Sequence, residues 1–210
     1  VAQHVTIMDG ASGAILLCDD CETPIPPASM SKLMTILVVL EELQAGRIRP
    51  DTRFSVSEYA WREHGSSSGG STMFLPLNSQ ASVADLIRGV IIVSANDACV
   101  VLAEGIAGSE AAFVERMNRR AQELGLRTAR FQNVTGVDDP NHVISSADLA
   151  RLARHIMIAF PDYYRLYGER EFRFNNITQQ NRNPLLGAFA GADGVKTGHT
   201  DASGHGLVGS

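Results

Sequence analysis

Strand-like patterns occupy the two ends of the chain. Near the start, residues 4–9 (HVTIMD) and 14–18 (AILLC) flank a Gly-Ala-Ser-Gly turn, which is typical of a β-hairpin. Towards the end, residues 171–183 (EFRFNNITQQNRN) alternate between apolar and polar positions and predict another hairpin. Residues 191–210 (GADGVKTGHTDASGHGLVGS) predict a strand, a turn and the start of a further strand.

Helical patterns fill the region between these ends. From Ala28 to about Gln44 the apolar residues recur at helical spacing, and Gly46 is expected to end this helix. Further helices are predicted over 82–94, 97–105, 109–125 and 146–160, with Ser82 and Ser109 as N-terminal caps, Gly125 as a C-terminal cap and Pro161 as a stop. Residues 62–72 predict an exposed Gly/Ser loop, and residues 131–142 a long polar loop.

This order of elements predicts a mixed α/β (α+β) fold in a single domain, residues 1–210. We expect an antiparallel sheet built from both chain ends, with its strands in about 1–49 and 171–210. A mostly helical subdomain, about 50–170, is inserted between them.

Composition excludes several classes of function. The formal net charge is −5 and no basic stretch runs longer than Arg119-Arg120, so no nucleic-acid partner is expected. The longest apolar run, residues 33–40, is far too short to cross a bilayer. No signal peptide starts at Val1, so the protein is either cytosolic or has lost a leader. Cys18 and Cys21 have no second ligand pair nearby, so no zinc site is expected.

The scarcity of lysine is more informative than the charge. Sixteen of the 18 basic residues are arginine, and the two lysines are Lys32 and Lys196. Arginine cannot lose its proton in a protein, whereas a desolvated lysine can, so only lysine can act as a base. These two positions are therefore the first candidates for chemistry.

Lys32 lies one helical turn after Ser29 in the segment PPASMSKLMT, so the two side chains share a face. Ser29 is at a helix N-terminus, where backbone N–H groups favour negative charge, and apolar neighbours would lower the pKa of Lys32. A serine beside a neutral lysine is a known nucleophile and base pair. The S-x-x-K pattern alone is more often a capped helix. Ser31 is a rival hydroxyl, but it points to another face.

Two later segments favour the catalytic interpretation. Ser94-Ala95-Asn96 interrupts an apolar helical run with a hydroxyl and an amide, although alone it could be a plain turn. Lys196-Thr197-Gly198 lies on a predicted strand, where it could hold a carboxylate while the backbone passes close by. The order S-x-x-K, S-x-N, K-T-G, with both lysines included, makes coincidence a poor explanation.

The three motifs are those of penicillin-binding proteins and class A β-lactamases. Along essentially its whole length the chain resembles the serine D-alanyl-D-alanine carboxypeptidases of the low-molecular-mass penicillin-binding type. The resemblance includes MDGASGAIL, GGSTMFL, SANDACVVLAE, FQNVTG, NITQQNRNPLL and GADGVKTGHTDASGHGLV. It implies a β-lactamase/transpeptidase-like fold, a peptidoglycan stem peptide ending in D-Ala-D-Ala as substrate, and β-lactam antibiotics as acylating inhibitors. It implies no metal and no organic cofactor.

The resemblance also implies a role for each motif residue. Ser29 would be acylated by the penultimate D-alanine, with Lys32 as the base. Ser94 and Asn96 would relay protons and hold the substrate amide. The substrate-binding residues would be Lys196, Thr197, Gly198 and His199: the first two bind the terminal carboxylate, and the backbone N–H of His199 completes an oxyanion hole with that of Ser29.

Related activities remain open at this point. Glu171 superficially resembles the deacylating glutamate of class A β-lactamases, but it stands 25 residues before Lys196, which is too close for that role. We therefore expect Glu171 to be a surface strand residue. Penicillin is expected to form a persistent adduct. A D,D-endopeptidase of cell-wall cross-links would use the same residues. A non-catalytic cell-wall-binding module with a vestigial pocket is the alternative from another class.

The resemblance carries expectations about the rest of the protein as well. The family's catalytic domain normally continues with more strands, so the chain ending at Ser210 is expected to be a truncated fragment with an open sheet edge. Contact with a membrane would need segments absent from this chain. We expect a periplasmic or other extracytoplasmic location, where Cys18 and Cys21 could form a disulfide. Cys99 is expected to be buried packing, and the Ser66–Gly70 loop to lie near the mouth of the site.

Overall fold

The computed structural model describes residues 2–210, and strands and helices follow the predicted order. The strands are β1 (Val5–Met8), β2 (Ile15–Asp19), β3 (Arg53–Ser55), β4 (Gln80–Ser82), β5 (Glu171–Phe174), β6 (Ile177–Gln180), β7 (Val195–Thr200) and β8 (Gly204–Gly209). The helices are α1 (Lys32–Gln44), α2 (Glu58–His64), α3 (Val83–Val93), α4 (Asn96–Ala107), α5 (Glu110–Glu123), α6 (Ser146–Ala159), α7 (Pro161–Tyr164) and α8 (Leu185–Ala188). The mixed α/β class is confirmed.

Local signals in the sequence set most of these boundaries. The Ser82 and Ser109 hydroxyls accept the N–H groups of residues three further along, so both serines cap their helices as predicted. Gly125 follows α5 with a φ of 74°, the left-handed conformation expected just past a helix end. The three predicted hairpins, β1–β2, β5–β6 and β7–β8, all form antiparallel pairs.

The structure differs from the prediction in three places. The first three residues of the predicted 62–72 loop belong to α2. The Ser57 hydroxyl caps this helix by accepting the Ala60 N–H, and the helix continues to His64. Strands β3 and β4 form a small sheet within the helical region, although both are short. Pro161 ends α6 as predicted but also begins the short helix α7, a position that suits proline because its missing N–H needs no partner there.

One further expectation, a single sheet built from both chain ends, is not met. Within residues 2–210, β1–β2 and β7–β8 are separate two-stranded sheets with no ladder between them. Residues of β1, α6 and β8 line a groove between the two hairpins, and no backbone ladder crosses it.

Helix α1 is the buried centre of the helical region. Apart from residues near its C-terminal end, such as Glu41 and Leu43, its side chains are buried, Lys32 included, which is typical of a helix enclosed on all faces. It packs against α3, α4, α5 and α6. Within residues 2–210 no helix has the length and apolar character needed to cross a membrane.

The cysteines fall into two environments. Cys18 and Cys21 form a disulfide at the end of β2. Cys99 is a free thiol within α4, fully buried as expected, and its burial raises the pKa of the thiol to about 12. It is therefore a packing residue in the reduced, neutral form.

Candidate active site

The site is organised around a 3₁₀ turn, Ala28–Ser31, which leads directly into α1 and which we call the Ser29 turn. Ala28 has a φ of 49°, a left-handed conformation that costs free energy for any residue with a Cβ. Such a conformation persists only where the surroundings enforce it. Here it brings Ser29 to the mouth of the groove with its Oγ 2.8 Å from Lys32 Nζ.

Lys32 is held in a form suited to accept a proton. Its side chain is 1% exposed, and no carboxylate partner pairs with it among the ion pairs of residues 2–210. Burial lowers the pKa of its ammonium group to about 8, and the positive charge of Arg182 acts in the same direction. A substantial fraction of neutral amine therefore exists at mildly alkaline pH, beside the hydroxyl that it would deprotonate.

The break between α3 and α4 supplies the second motif. Ser94 ends α3 in the left-handed conformation, with a φ of 59°, and Asn96 opens α4. The Asn96 N–H donates to the Ser71 carbonyl at 2.8 Å, which joins this break to the segment that follows the Gly/Ser loop. Within residues 2–210 the buried Asn96 Oδ1 accepts no hydrogen bond.

Lys196 is also buried, and it contacts the second motif rather than the open groove. Its Nζ lies 3.0 Å from Ser94 Oγ and 3.0 Å from the Thr197 carbonyl oxygen. Burial, together with the positive charge of Lys32, lowers the pKa of Lys196 well below its usual range. The two lysines thus each pair with one serine, Lys32 with Ser29 and Lys196 with Ser94.

Strand β7 packs directly against the Ser29 turn, and Gly198 makes this approach possible. A Cβ at this position would lie 2.9 Å from the Pro27 carbonyl oxygen and 3.2 Å from Ala28 Cβ. The cross-strand partner of Gly198 is Gly206, which faces Met30 in the same way. The glycine of the K-T-G motif therefore sets the distance between β7 and the serine.

The ring of His199 contacts the neighbouring strand β8. The ring is exposed and stacks on that of its cross-strand neighbour His205, with the ring centres 4.1 Å apart. Within residues 2–210 no side-chain hydrogen bond links the His199 ring to Ser29 or to either lysine. The role of the His199 N–H in an oxyanion hole stays a prediction.

Arg182 is a site residue that the sequence reasoning missed. It lies in the polar segment after β6, lines the same groove as Ser29 and Thr197, and donates to Ser71 Oγ. The arginine belongs to NITQQNRNPLL, one of the segments that resemble the family. Arg182 is exposed, so it brings a permanent positive charge to the groove, unlike the two buried lysines.

The residues of all three motifs thus converge, although they come from α1, the α3–α4 break and β7. The groove at their surface has a volume of about 1380 Å³ and is lined by Ser29, Ser94, Arg182, Thr197 and His199 on this side. A nucleophile with an adjacent base, a second serine with its own lysine, backbone N–H groups and an exposed cation together suit acyl transfer to a substrate with a free carboxylate.

Three further expectations from the sequence concern metal binding, Glu171 and the Ser66–Gly70 loop. Within residues 2–210 no group of three or more His, Cys, Asp or Glu side chains could hold a metal ion. Glu171 is exposed on β5 opposite Gln180, the surface strand position expected for it. The Ser66–Gly70 loop approaches the site at one end, where a Cβ on Gly70 would lie 2.9 Å from Asn96 Nδ2.

Comparison with known proteins agrees with this geometry. A family model described as D-alanyl-D-alanine carboxypeptidase matches residues 1–210. The D-alanyl-D-alanine carboxypeptidase DacA of Haemophilus influenzae is 45% identical over 210 residues, which is 100% of this chain and 53% of the relative. DacD of Escherichia coli is 43% identical over 206 residues, 97% of this chain and 53% of the relative. The chain therefore spans about half the length of the curated relatives it matches.

The fold has matching solved structures. The crystal structure of penicillin binding protein 5 from Haemophilus influenzae superposes with a TM-score of 0.93 and 44% identity. The match covers 97% of this chain and 59% of that protein. The β-lactamase/transpeptidase-like architecture expected from the motifs is confirmed.

Proposed function

The chain belongs to the D-alanyl-D-alanine carboxypeptidase family, and from this premise we propose that it is a serine D,D-carboxypeptidase. Its substrate is a peptidoglycan stem peptide ending in D-Ala-D-Ala, and β-lactams acylate it as inhibitors. The observation that carries the proposal is the 2.8 Å contact between Ser29 Oγ and the buried Nζ of Lys32. The substrate lies outside the cytoplasm, so we also propose an extracytoplasmic location.

Acylation begins with neutral Lys32. It takes the proton of Ser29 Oγ as that oxygen attacks the carbonyl carbon of the penultimate D-alanine. The developing oxyanion accepts hydrogen bonds from the backbone N–H groups of Ser29 and His199. Gly198 supports this arrangement because it lets β7 approach the Ser29 turn closely enough for both donors to reach one oxygen.

Departure of the terminal D-alanine needs a proton on its amine. Ser94 is suited to deliver it, because its Oγ lies 3.0 Å from Lys196 Nζ and opens onto the groove. The proton that Lys32 took from Ser29 reaches this amine through Ser94, so Lys32 becomes neutral again. Asn96, two residues after Ser94 at the start of α4, is assigned to hold the substrate amide. Water then attacks the acyl-enzyme with Lys32 as the base, and the proton taken from this water passes to Ser29 Oγ as the shortened peptide leaves.

The terminal carboxylate of the substrate is bound by groups that line the groove. Lys196 was expected to bind it directly, but its burial and its bond to Ser94 favour an indirect role through the proton network. Thr197 and Arg182 both line the groove, and a guanidinium with a hydroxyl forms a good carboxylate site. We therefore assign the carboxylate to Thr197 and Arg182.

The test is the product formed from two substrates. A soluble stem pentapeptide and a cross-linked muropeptide dimer are each incubated with the protein and with Ser29→Ala, and free D-alanine and monomer are quantified. Release of D-alanine from the pentapeptide by the unaltered protein alone supports the proposal. Cleavage of the dimer alone overturns it in favour of a D,D-endopeptidase. If a folded protein acts on neither substrate, the non-catalytic module is the better account.

A further inference from the structure

A buried histidine lies beneath the Ser29 turn, and no step of the proposed reaction uses it. His142 is 2% exposed and ends the polar 131–142 loop. Its Nε2 lies 2.8 Å from the Oγ of Ser31, a residue 111 positions away in the sequence. Phe131 packs edge-on against the same ring, with centres 5.6 Å apart. A polar ring buried in this way needs both of its nitrogens satisfied.

The hydrogen bonds around His142 all have the same donor-to-acceptor direction, from Gln132 through the ring and Ser31 to Ala28. The backbone N–H of Gln132 donates to Nδ1 at 2.9 Å, and a backbone N–H can only donate, so Nδ1 carries no proton. The proton of the neutral ring is therefore on Nε2, which donates to Ser31 Oγ. Ser31 in turn donates its own proton to the Ala28 carbonyl oxygen at 3.0 Å.

This chain of hydrogen bonds ends at the Ala28 carbonyl oxygen, which belongs to the peptide group that also carries the proposed oxyanion donor, the Ser29 N–H. The Ala28 C=O and the Ser29 N–H belong to a single planar peptide unit, so fixing the oxygen also fixes the direction of the N–H. The backbone of the 131–142 loop packs against the same oxygen: a Cβ on Gly136 would lie 2.0 Å from it. Ala28 needs such support because of its left-handed φ of 49°.

The 131–142 loop also reaches the other side of the oxyanion site. The Asp138 carboxylate accepts a hydrogen bond of 2.6 Å from the hydroxyl of Thr200, the residue that follows His199 on β7. One loop therefore contacts the turn that carries the first proposed oxyanion donor and the strand that carries the second.

We propose that His142 is a positioning residue, which acts through Ser31 to hold the Ala28–Ser29 peptide so that the Ser29 N–H points at the substrate oxyanion. The proposal rests on the proposed function, since it presupposes acylation of Ser29. Its effect belongs to the transition state, where the oxyanion develops, and not to the initial binding of the substrate.

Two substitutions separate the two ring nitrogens. In His142→Gln the amide nitrogen takes the place of Nε2 and keeps the donor to Ser31. In His142→Asn the amide oxygen takes the place of Nδ1, so the bond from Gln132 is kept and the donor to Ser31 is lost. Ser31→Ala removes the next member of the chain with a smaller change in packing. His155→Asn, on α6, is the matched control for the loss of an imidazole.

The measurement is acylation by a chromogenic or fluorescent penicillin at pH 8, with the rates normalised to the titrated active sites. Pre-covalent affinity and the acylation rate constant are determined separately. We expect His142→Asn and Ser31→Ala to lower the acylation rate constant by about ten- to a hundredfold, with affinity changed less than about twofold. His142→Gln restores most of the rate, and the His142→Asn/Ser31→Ala double variant is no slower than either single variant.

The outcomes distinguish this proposal from the proposed function. If the unaltered protein forms no adduct at Ser29, the function has failed, and ¹⁵N NMR of the His142 ring still tests the hydrogen-bond chain, which requires a proton on Nε2 and none on Nδ1. If the unaltered protein reacts and folded His142→Asn reacts equally fast, the positioning role is wrong. Equal decreases of the acylation rate constant in His142→Gln and His142→Asn would also overturn the positioning role, since they would indicate that His142 contributes only by packing.

Discussion

At the scale of single residues, the proposed reaction depends on the charge of Lys32. Burial lowers the pKa of this lysine to about 8, and the charge of Arg182 contributes in the same direction. Because only the neutral amine can accept the Ser29 proton, the protonation of Lys32 sets how much of the protein is reactive at a given pH. Arginine at this position would keep its proton, which explains why one of the two lysines stands here.

The first prediction concerns the pH dependence of acylation. Below the pKa of Lys32 the acylation efficiency should rise about tenfold per pH unit, and it should reach a plateau above about pH 8. Arg182→Gln removes a like charge, so the midpoint should move to higher pH. Stopped-flow rates with a penicillin between pH 6 and 10 provide the profile. A flat profile across this range would show that Lys32 is not the base.

The second prediction concerns stability, because burial lowers the pKa of His142 to about 4. The groups with charge that face the ring are Asp139, which raises this pKa, and Lys32, which lowers it. Between about pH 4 and the ordinary value of about 6.5, the unfolded chain binds more protons than the folded one. Stability is therefore fully present above pH 6.5 and is lost as the pH falls towards 4.

The expected loss is about 3 kcal/mol between pH 7 and pH 4, since each pKa unit is worth about 1.4 kcal/mol. Urea unfolding of the protein and of His142→Asn at several pH values isolates this contribution. The free energy of unfolding of the unaltered protein should fall relative to that of the variant over this interval. A difference between the two proteins that does not change with pH would contradict the prediction.

At the scale of elements, the site depends on how closely β7 approaches the Ser29 turn. The third prediction is that Gly198→Ala slows acylation by about ten- to a hundredfold, because the added Cβ meets the backbone of Pro27 and pushes the strand away. Gly187→Ala in α8 is the matched control, since a Cβ there meets nothing within 4 Å. Acylation rates of both variants decide the point. An unaffected Gly198→Ala would mean that β7 can shift without cost to the reaction.

The elements that the sequence predicts well are those whose ends carry local signals. Helix α3 was predictable at both ends because its cap, Ser82, and its break at Ser94 are local signals. Helix α2 was not predicted, because its polar end, Arg62–His64, runs into a Gly/Ser segment that dominates the pattern. Strands β3 and β4 are three residues each and stabilise one another only after the chain has folded, so neither had a visible pattern alone.

At the scale of the whole molecule, the candidate site was largely predictable because its residues occur as short motifs. Arg182 and His142 were not, since each contacts a partner 111 positions away in the sequence, Ser71 for the first and Ser31 for the second. No local spacing encodes such a contact. The single sheet expected from the two ends was likewise a long-range inference, and within residues 2–210 no ladder joins the two hairpins.

The central claim is that Ser29 is acylated with Lys32 as its base, and mass spectrometry after exposure to penicillin tests it most directly. We predict a mass increase of one penicillin that persists on the peptide containing Ser29 and is absent in Ser29→Ala. In Lys32→Met its formation should be slower by about 10²–10⁴-fold, the usual contribution of a general base. An adduct on another residue, rapid and complete turnover of the penicillin, or no adduct on the folded protein would contradict the account.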